Sequence, residues 1–367
     1  MGISWILLLA AAVAYLQNLF FRRWGFSRLT VTRKFSEQHC FSGDEVEMIE
    51  TIVNRKLLPI PWLRLESMIH AGLRFGKQSN LDINDGKLYQ NHRSLFSLMP
   101  YTKIVRRHQV LCEKRGWYKL DSVAVSVGDA LGMQVGTQSH KLNLRLLVYP
   151  KLIDWQELPL PSHSWQGDIT VKRWVMQDPF LSAGVREYGF GDPLSSIHWK
   201  ATARSQKLQV YNREFTADPR LMIILNTQIS EMMWEAVSDT ELVEKGISYA
   251  ATLAERVIAA GIPVGFGCNA YTEEVPKEPI YISPEGGWDH LNSLYETMAK
   301  LVVACCRSFD TYLDADAWQD GTALDFILIT PFLSDKVEEQ IQRLRDRGHA
   351  VEVVMLTHEM FGEGVVQ

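Results

Sequence analysis

Three rhythms of apolar residues run along this chain, and each predicts a different kind of element. The first is unbroken. Ile3–Phe21 contains no charged side chain, and as a helix it would span roughly 28 Å, close to the thickness of a bilayer's hydrocarbon core. The second rhythm is alternation. From Leu29 to Pro150 apolar residues recur in short runs between turn signals. Val46 and Met48–Val53 follow the Phe41–Asp44 turn, and Ile104–Cys112 and Tyr118–Val127 flank Arg115–Gly116–Trp117. Asn84–Asp85–Gly86 is a turn signal, and the two prolines of Leu57–Leu65 suit an edge or a loop leading into a strand. Short strands at this spacing predict a β-sandwich over residues 28–150.

The third rhythm begins at Leu221. Short apolar runs at Leu221–Leu225, Ile262–Cys268, Phe326–Thr330 and Ala350–Leu356 read as strands. Between them Glu241–Ala260, Leu291–Cys306 and Ser334–Arg347 read as helices; Gly261 ends the first, and Ser334 and Gly348 bound the last. Apolar strands alternating with helices predict a mostly parallel sheet covered on both faces, where ligands sit beyond the strands' carboxyl ends. The fold class is thus a multidomain α+β protein. It has an anchor over 1–27, a β-sandwich over 28–150, a Pro-, Ser- and Trp-rich linker over 151–185, a motif over 186–215 and an α/β domain over 216–367.

Charge gives the anchor a direction. Arg22, Arg23, Arg28, Arg33 and Lys34 all follow the apolar run, so the positive-inside rule places the body in the cytoplasm behind a single span of the plasma membrane. A cleaved signal peptide would want a basic start and a small-residue cleavage site, and Met1–Trp5 has no charged side chain. The five cysteines show no C-x-x-C spacing, which suits free thiols in a reducing compartment. Cys305 and Cys306 fall in the expected Leu291–Cys306 helix, as core or half-exposed fillers. The net charge of −5 argues against a nucleic-acid binder. No P-loop, G-x-S-x-G or H-E-x-x-H is present. A non-enzymatic protein without a cofactor is therefore expected.

Chemistry-bearing side chains concentrate in Arg186–Phe215, where Arg186, Asp192, His198, Trp199, Lys200 and Arg204 crowd a turn, a helix and a strand. Asp192 suits an N-cap and Pro193 a first helical position. The spacing is helical from Leu194 to Arg204, and Leu208–Val210 alternates like a strand. One reading is a structural plug, with Arg186 or Arg204 paired to Asp192 and Trp199 buried. The other is an anion or partner site on a helix N-terminus, which on an enzyme reading would be lined by Arg186, His198, Lys200 and Arg204.

The order of Arg186, Tyr188, Gly191, Asp192, Ile197, His198, Trp199, Lys200, Ala203 and Arg204 resembles the signature of the domain-of-unknown-function 58 family. Ser195 stands where that family usually has an Arg. The resemblance implies a bacterial membrane-tethered protein with a von Willebrand factor type A-like (Rossmann-like) domain. It also implies work beside a MoxR-type AAA+ ATPase in assembling or maturing other proteins. A metal-binding domain of that kind has Asp-x-Ser-x-Ser after its first strand, because a hard cation wants oxygen ligands. Here the corresponding positions are Asn226, Gln228 and Ser230, and Pro331 follows Thr330 where a later acidic ligand is expected. No metal is expected at this degenerate site. The partners are then the lipid bilayer, through Ile3–Phe21, and a protein.

Overall fold

A computed structural model describes residues 2–76, 81–86, 88–129, 134–158, 182–187, 197–205, 207–213, 220–231, 237–314 and 324–358. It is a mixed α/β structure with an N-terminal apolar helix and several sheets. Its contacts fall into two compact units, one formed by residues 1–152 with 295–300, the other by 153–294 with 301–367.

The first unit begins with helix α1 (Gly2–Trp24), which is long and apolar enough to cross a membrane and is exposed along most of its length. Ten strands follow: β1 (Leu29–Phe35), β2 (His39–Phe41), β3 (Glu45–Asn54), β4 (Ile60–His70), β5 (Leu73–Phe75), β6 (Leu81–Asp85), β7 (Tyr89–Leu98), β8 (Lys103–Cys112), β9 (Gly116–Gly128) and β10 (Gln134–Tyr149). They form a four-stranded sheet, β1-β3-β8-β5, and a six-stranded sheet, β2-β10-β9-β4-β7-β6. Alternation decides what lies between them. Val46, Met48, Glu50, Ile52 and Asn54 of β3 are buried at every second position. Both sheets contribute to two apolar clusters, one around Phe75, Val110 and Leu146, the other around Ile52, Leu63 and Val125.

A buried polar cluster lies in the same unit. Arg33 and Glu50 face each other across β1 and β3. Arg33 Nε and Nη2 approach Glu50 Oε1 at 2.8 and 2.7 Å, and Nη1 donates to Ser67 Oγ at 2.8 Å. His108 Nε2 stands 3.9 Å from Glu50 Oε2, an ion-pair distance when the imidazole carries a proton. His92 is stacked edge-on against Phe75, with Nε2 3.1 Å from Gln90 Oε1.

The second unit holds a small antiparallel pair, β11 (Ser182–Glu187) and β12 (Gln209–Arg213), with α2 (Trp199–Ser205) between them in sequence. The rest is β13 (Arg220–Leu225), α3 (Thr240–Ala259), β14 (Val264–Cys268), β15 (Tyr271–Thr272), β16 (Ile280–Glu285), α4 (Trp288–Lys300, of which 295–300 count with the first unit), β17 (Leu301–Val302), α5 (Phe309–Tyr312), β18 (Leu324–Thr330), α6 (Asp335–Asp346) and β19 (Val351–Met355). The main sheet runs β16-β14-β13-β18-β19, parallel except for edge strand β16. Asp239 caps α3 by accepting from Leu242 N at 3.0 Å, and Gly261 closes the turn after it with φ +80°. Gly246 lets α3 lie close to the sheet: a Cβ there would stand 2.8 Å from Leu225 and Leu356.

The expected helix Leu291–Cys306 is shorter than its apolar pattern. Helix α4 ends at Lys300, and Leu301–Val302 pairs with Tyr271–Thr272 as a strand. β-Branched Val302 and Val303 favour that extended path. Cys305 and Cys306 therefore sit in a turn, outside any helix.

Candidate functional site

The residues of the expected motif are only partly brought together among the described residues. Arg186 lies on β11, in register with Val210 of β12. Tyr188, Gly191, Asp192 and Ser195 lie outside the described residues. Helix α2 starts at Trp199, later than the helical spacing from Leu194 suggests, because His198 caps it. Its Nδ1 accepts from Ala201 N at 3.1 Å and its carbonyl from Thr202 N at 3.0 Å. His198 N donates to Gln209 O at 2.7 Å, and Gln209 N donates to Thr202 Oγ1 at 3.0 Å. These bonds pin the short helix to β12.

Pinning leaves one face outward. Ile197 is buried, whereas Trp199 is 69% exposed and Lys200, Ala203 and Arg204 are exposed with it. The expected burial of Trp199 is thereby corrected; the pairing of Arg186 or Arg204 with Asp192 lies outside the described residues. Trp199 and Ala203 are four residues apart, as are Lys200 and Arg204, so an indole edge and two cations share the outer surface of α2.

A second set of residues gathers at the carboxyl end of the parallel sheet. Asn226 follows β13, Asn269 follows β14, and Thr330 ends β18. All three are fully buried, and Gln228 is nearly so. Asn226 Nδ2 donates to Thr330 Oγ1 at 3.0 Å, and Asn226 Oδ1 accepts from Gln228 N at 2.9 Å and Asn269 Nδ2 at 3.3 Å. Asn269 Oδ1 accepts from Thr227 N at 2.8 Å and Thr227 Oγ1 at 3.0 Å. Thr330 Oγ1 donates on to Phe332 O at 2.7 Å. Gln228 Oε1 accepts from Phe309 N at 2.9 Å, and its Nε2 donates to the carbonyl of exposed Ser230 at 2.8 Å.

This network is neutral and spends its polar atoms on itself. A hard divalent cation would have to displace these bonds and would meet amide and hydroxyl oxygens without a carboxylate among them. Among the described residues no group of three or more His, Cys, Asp or Glu is placed to hold a metal. The thiols of the adjacent turn join the network: Cys305 Sγ lies 3.3 Å from Thr227 Oγ1, and Cys306 Sγ donates to Asn269 O at 3.1 Å. Burial pushes both thiols above their ordinary pKa, so they are poor nucleophiles. Asn269 and Thr227 were missed by the sequence reading. The available signal was position alone, since each follows an apolar strand at the sheet end where ligands usually sit.

Beside the network opens a cleft of about 230 Å³, lined by Gln228, Glu231, Ser308, Asp310, Ser334 and Lys336 among others. Ser334 Oγ caps α6 by accepting from Val337 N at 3.4 Å. Lys336 Nζ stands 3.8 Å from Glu231 Oε1, with both side chains more than half exposed. Such an exposed pair contributes about 1 kcal/mol or less.

The chain is 22% identical over 281 residues to an uncharacterized protein, YeaD, of Bacillus subtilis; the match covers 76% of this chain and 63% of that protein. Among solved structures, a non-cellulosomal cohesin from Archaeoglobus fulgidus aligns with 33% of this chain and 92% of its own, at 11% identity and a TM-score of 0.23. Part of α2-macroglobulin from Escherichia coli aligns with 34% of this chain and 24% of that chain, at 12% identity and a TM-score of 0.26. Scores that low carry no argument. Residues 184–360, which hold the described part of the motif and the whole polar network, match the family model described as protein of unknown function DUF58.

Proposed function

We propose that this protein is a membrane-anchored, non-enzymatic scaffold with a cytoplasmic body, and that the outer face of α2 docks a partner protein. On this reading the second unit is a von Willebrand factor type A-like domain whose sheet end serves structure instead of metal. The partner is a MoxR-type AAA+ ATPase, as the family resemblance implies, and the work is assembly or maturation of other proteins.

The observation that carries the reading is Trp199. A side chain of that size, 69% exposed on a helix fixed by His198, Thr202 and Gln209 and flanked by Lys200 and Arg204, has the composition of an interface anchor. The neutral network at the sheet end adds to it, since the usual place for chemistry in such a sheet is filled by amides bonded to one another.

The test is co-purification from native membranes with the wild-type chain and with Trp199→Ala combined with Arg204→Ala. Melting curves of both proteins are taken alongside. An AAA+ ATPase that accompanies the wild type and is lost from an equally stable double variant supports the docking face. Equal recovery with both proteins, or no ATPase with either, contradicts it.

A further inference from the structure

The end of the first unit from which α1 emerges differs chemically from the rest of that unit. The chain leaves α1 through Gly25, whose N–H donates to Phe21 O at 2.7 Å. Lys56, only 7% exposed, reaches into this exit and donates to the carbonyls of Gly25 and Ser27, complementing the negative end of the helix. An ammonium has three donors, so one remains beyond these two bonds. Arg28 lies beside it, exposed, at the turn into β1. The segments 20–36, 51–65 and 95–112 contain no Asp or Glu, and Asp129, which follows β9 at this end, is buried. Two cations thus stand here without a carboxylate from these segments to neutralise them.

Apolar side chains surround those cations. Asn54 Nδ2 donates to Leu58 O and Met99 O, both at 3.0 Å, and Tyr101 N donates to Lys56 O at 3.2 Å. These bonds hold the β3–β4 and β7–β8 loops together. The joined loops present Leu57, Met99 and Tyr101, each at least two-thirds exposed, beside half-exposed Trp24 of α1. Apolar and aromatic residues interleaved with Lys and Arg are what a bilayer interface favours, and in water the same surface would be costly. A cavity of about 520 Å³ opens between α1 and the loops, lined by Phe20, Trp24, Arg28, Lys56, Leu57 and Tyr101 among others.

We propose that this cavity binds the headgroup of an anionic phospholipid, with the phosphate held by Arg28 and Lys56 and the first acyl carbons lying against Phe20 and Trp24. The site rests on α1 crossing a membrane, which places the cavity at the level of the headgroups. The cations explain a preference for net negative charge. The apolar half of the lining explains why a lipid, and not free phosphate, completes the site. Burial without a carboxylate pushes the Lys56 ammonium down to about 8; a bound phosphate reverses that shift by supplying the missing charge.

The experiment uses the full chain in nanodiscs of phosphatidylcholine alone or mixed with phosphatidylglycerol. The lipid retained after delipidation is identified by mass spectrometry, and melting temperature is followed. Wild type is expected to retain phosphatidylglycerol over phosphatidylcholine and to melt higher with it. Arg28→Gln is expected to lower that preference about fivefold. Lys56→Met removes more, and because it also uncaps α1, the exposed Arg28 provides the variant that leaves the fold unchanged. Equal retention of the two lipids overturns the proposal, as does the same stabilisation by millimolar inorganic phosphate. Alkaline carbonate separates the two failures: a chain released from membranes defeats the anchor and the site together, whereas a chain retained but indifferent to headgroup charge defeats the site alone.

Discussion

Each unit of this protein buries a polar cluster, and the two clusters are built on opposite electrostatic plans. In the first unit Arg33 and Glu50 bury opposite formal charges, with His92 and His108 close by. In the second, Asn226, Thr227, Gln228, Asn269 and Thr330 bury only amides and hydroxyls. A buried charge must be matched by charge and responds to pH; a neutral network needs only its hydrogen bonds. The consequence is a charged cluster tuned by protons in the first unit and a neutral cluster indifferent to them in the second.

The largest expected effect comes from breaking the charged cluster. Glu50→Ala leaves the Arg33 guanidinium buried without its carboxylate and should cost about 3–5 kcal/mol of stability in denaturant titration. Glu50→Gln, which keeps the shape and part of the bonding, should cost less. A negligible loss in Glu50→Gln beside a full loss in Glu50→Ala would mean that volume and not charge governs the cluster.

Acid should reach the same cluster without mutation. Burial, with Arg33 and His108 adding to it, holds His92 down at about 4. The folded His92 therefore stays neutral while the unfolded one takes a proton, and stability falls as pH drops from about 6.5 to 4. Burial opposes the charge on Glu50, but His108 and Arg33 outweigh it and hold the carboxyl at about 2. That contribution is present above about 4.5 and is lost as pH falls from 4.5 towards 2. By this linkage acid costs about 3 kcal/mol at each group, as a penalty at His92 and as lost stabilisation at Glu50. Hydrogen exchange corrected for intrinsic rates should show β3 and β8 losing protection across this range while β13 and β18 keep theirs. Parallel loss in both units would erase the contrast.

Asn269→Ala breaks the neutral cluster. It leaves the Thr227 N–H and hydroxyl and the Asn226 carbonyl short of partners, at about 2 kcal/mol, with no dependence on pH between 4 and 8. A pH-dependent loss would point to an ionised group in the network. Ser334→Ala, which removes a helix cap beside the network, should cost about 1 kcal/mol. Trp199→Ala should change stability least, within about 0.5 kcal/mol, because the side chain lies outside the core; a larger loss measured by thermal melting would return Trp199 to a structural role.

Legibility in the sequence followed how far each pattern was local. The apolar run of α1, the β13 and β18 strands and the Ser334 cap were readable because period and capping chemistry are properties of neighbouring residues. The inward faces of Arg33 and Glu50 went unread: Arg33 was counted only among the charges after the anchor, although alternation sets it with Val31 and sets Glu50 with Met48 and Ile52. What period cannot supply is register, and register alone sets Arg33 opposite Glu50. Asn226, Gln228, Ser230 and Thr330 were marked as positions of a degenerate metal site, Asn226 for the carboxylate it lacks. Their shared role with Asn269 needed the sheet to bring together positions about forty and a hundred residues apart. Helix α4 was overextended because an apolar run alone does not distinguish a helix from the short strand that follows it.

The claim that function is carried by the face of α2 meets its most direct test in site-specific crosslinking. A photoreactive phenylalanine at Lys200 leaves Trp199 in place and reports what lies within a few ångströms of it in native membranes; the same probe at exposed Tyr281 is the control. The account predicts a discrete adduct with an AAA+ ATPase at position 200, absent at 281 and abolished by Trp199→Ala. Adducts that are no different between the two positions, or that survive Trp199→Ala, would contradict it.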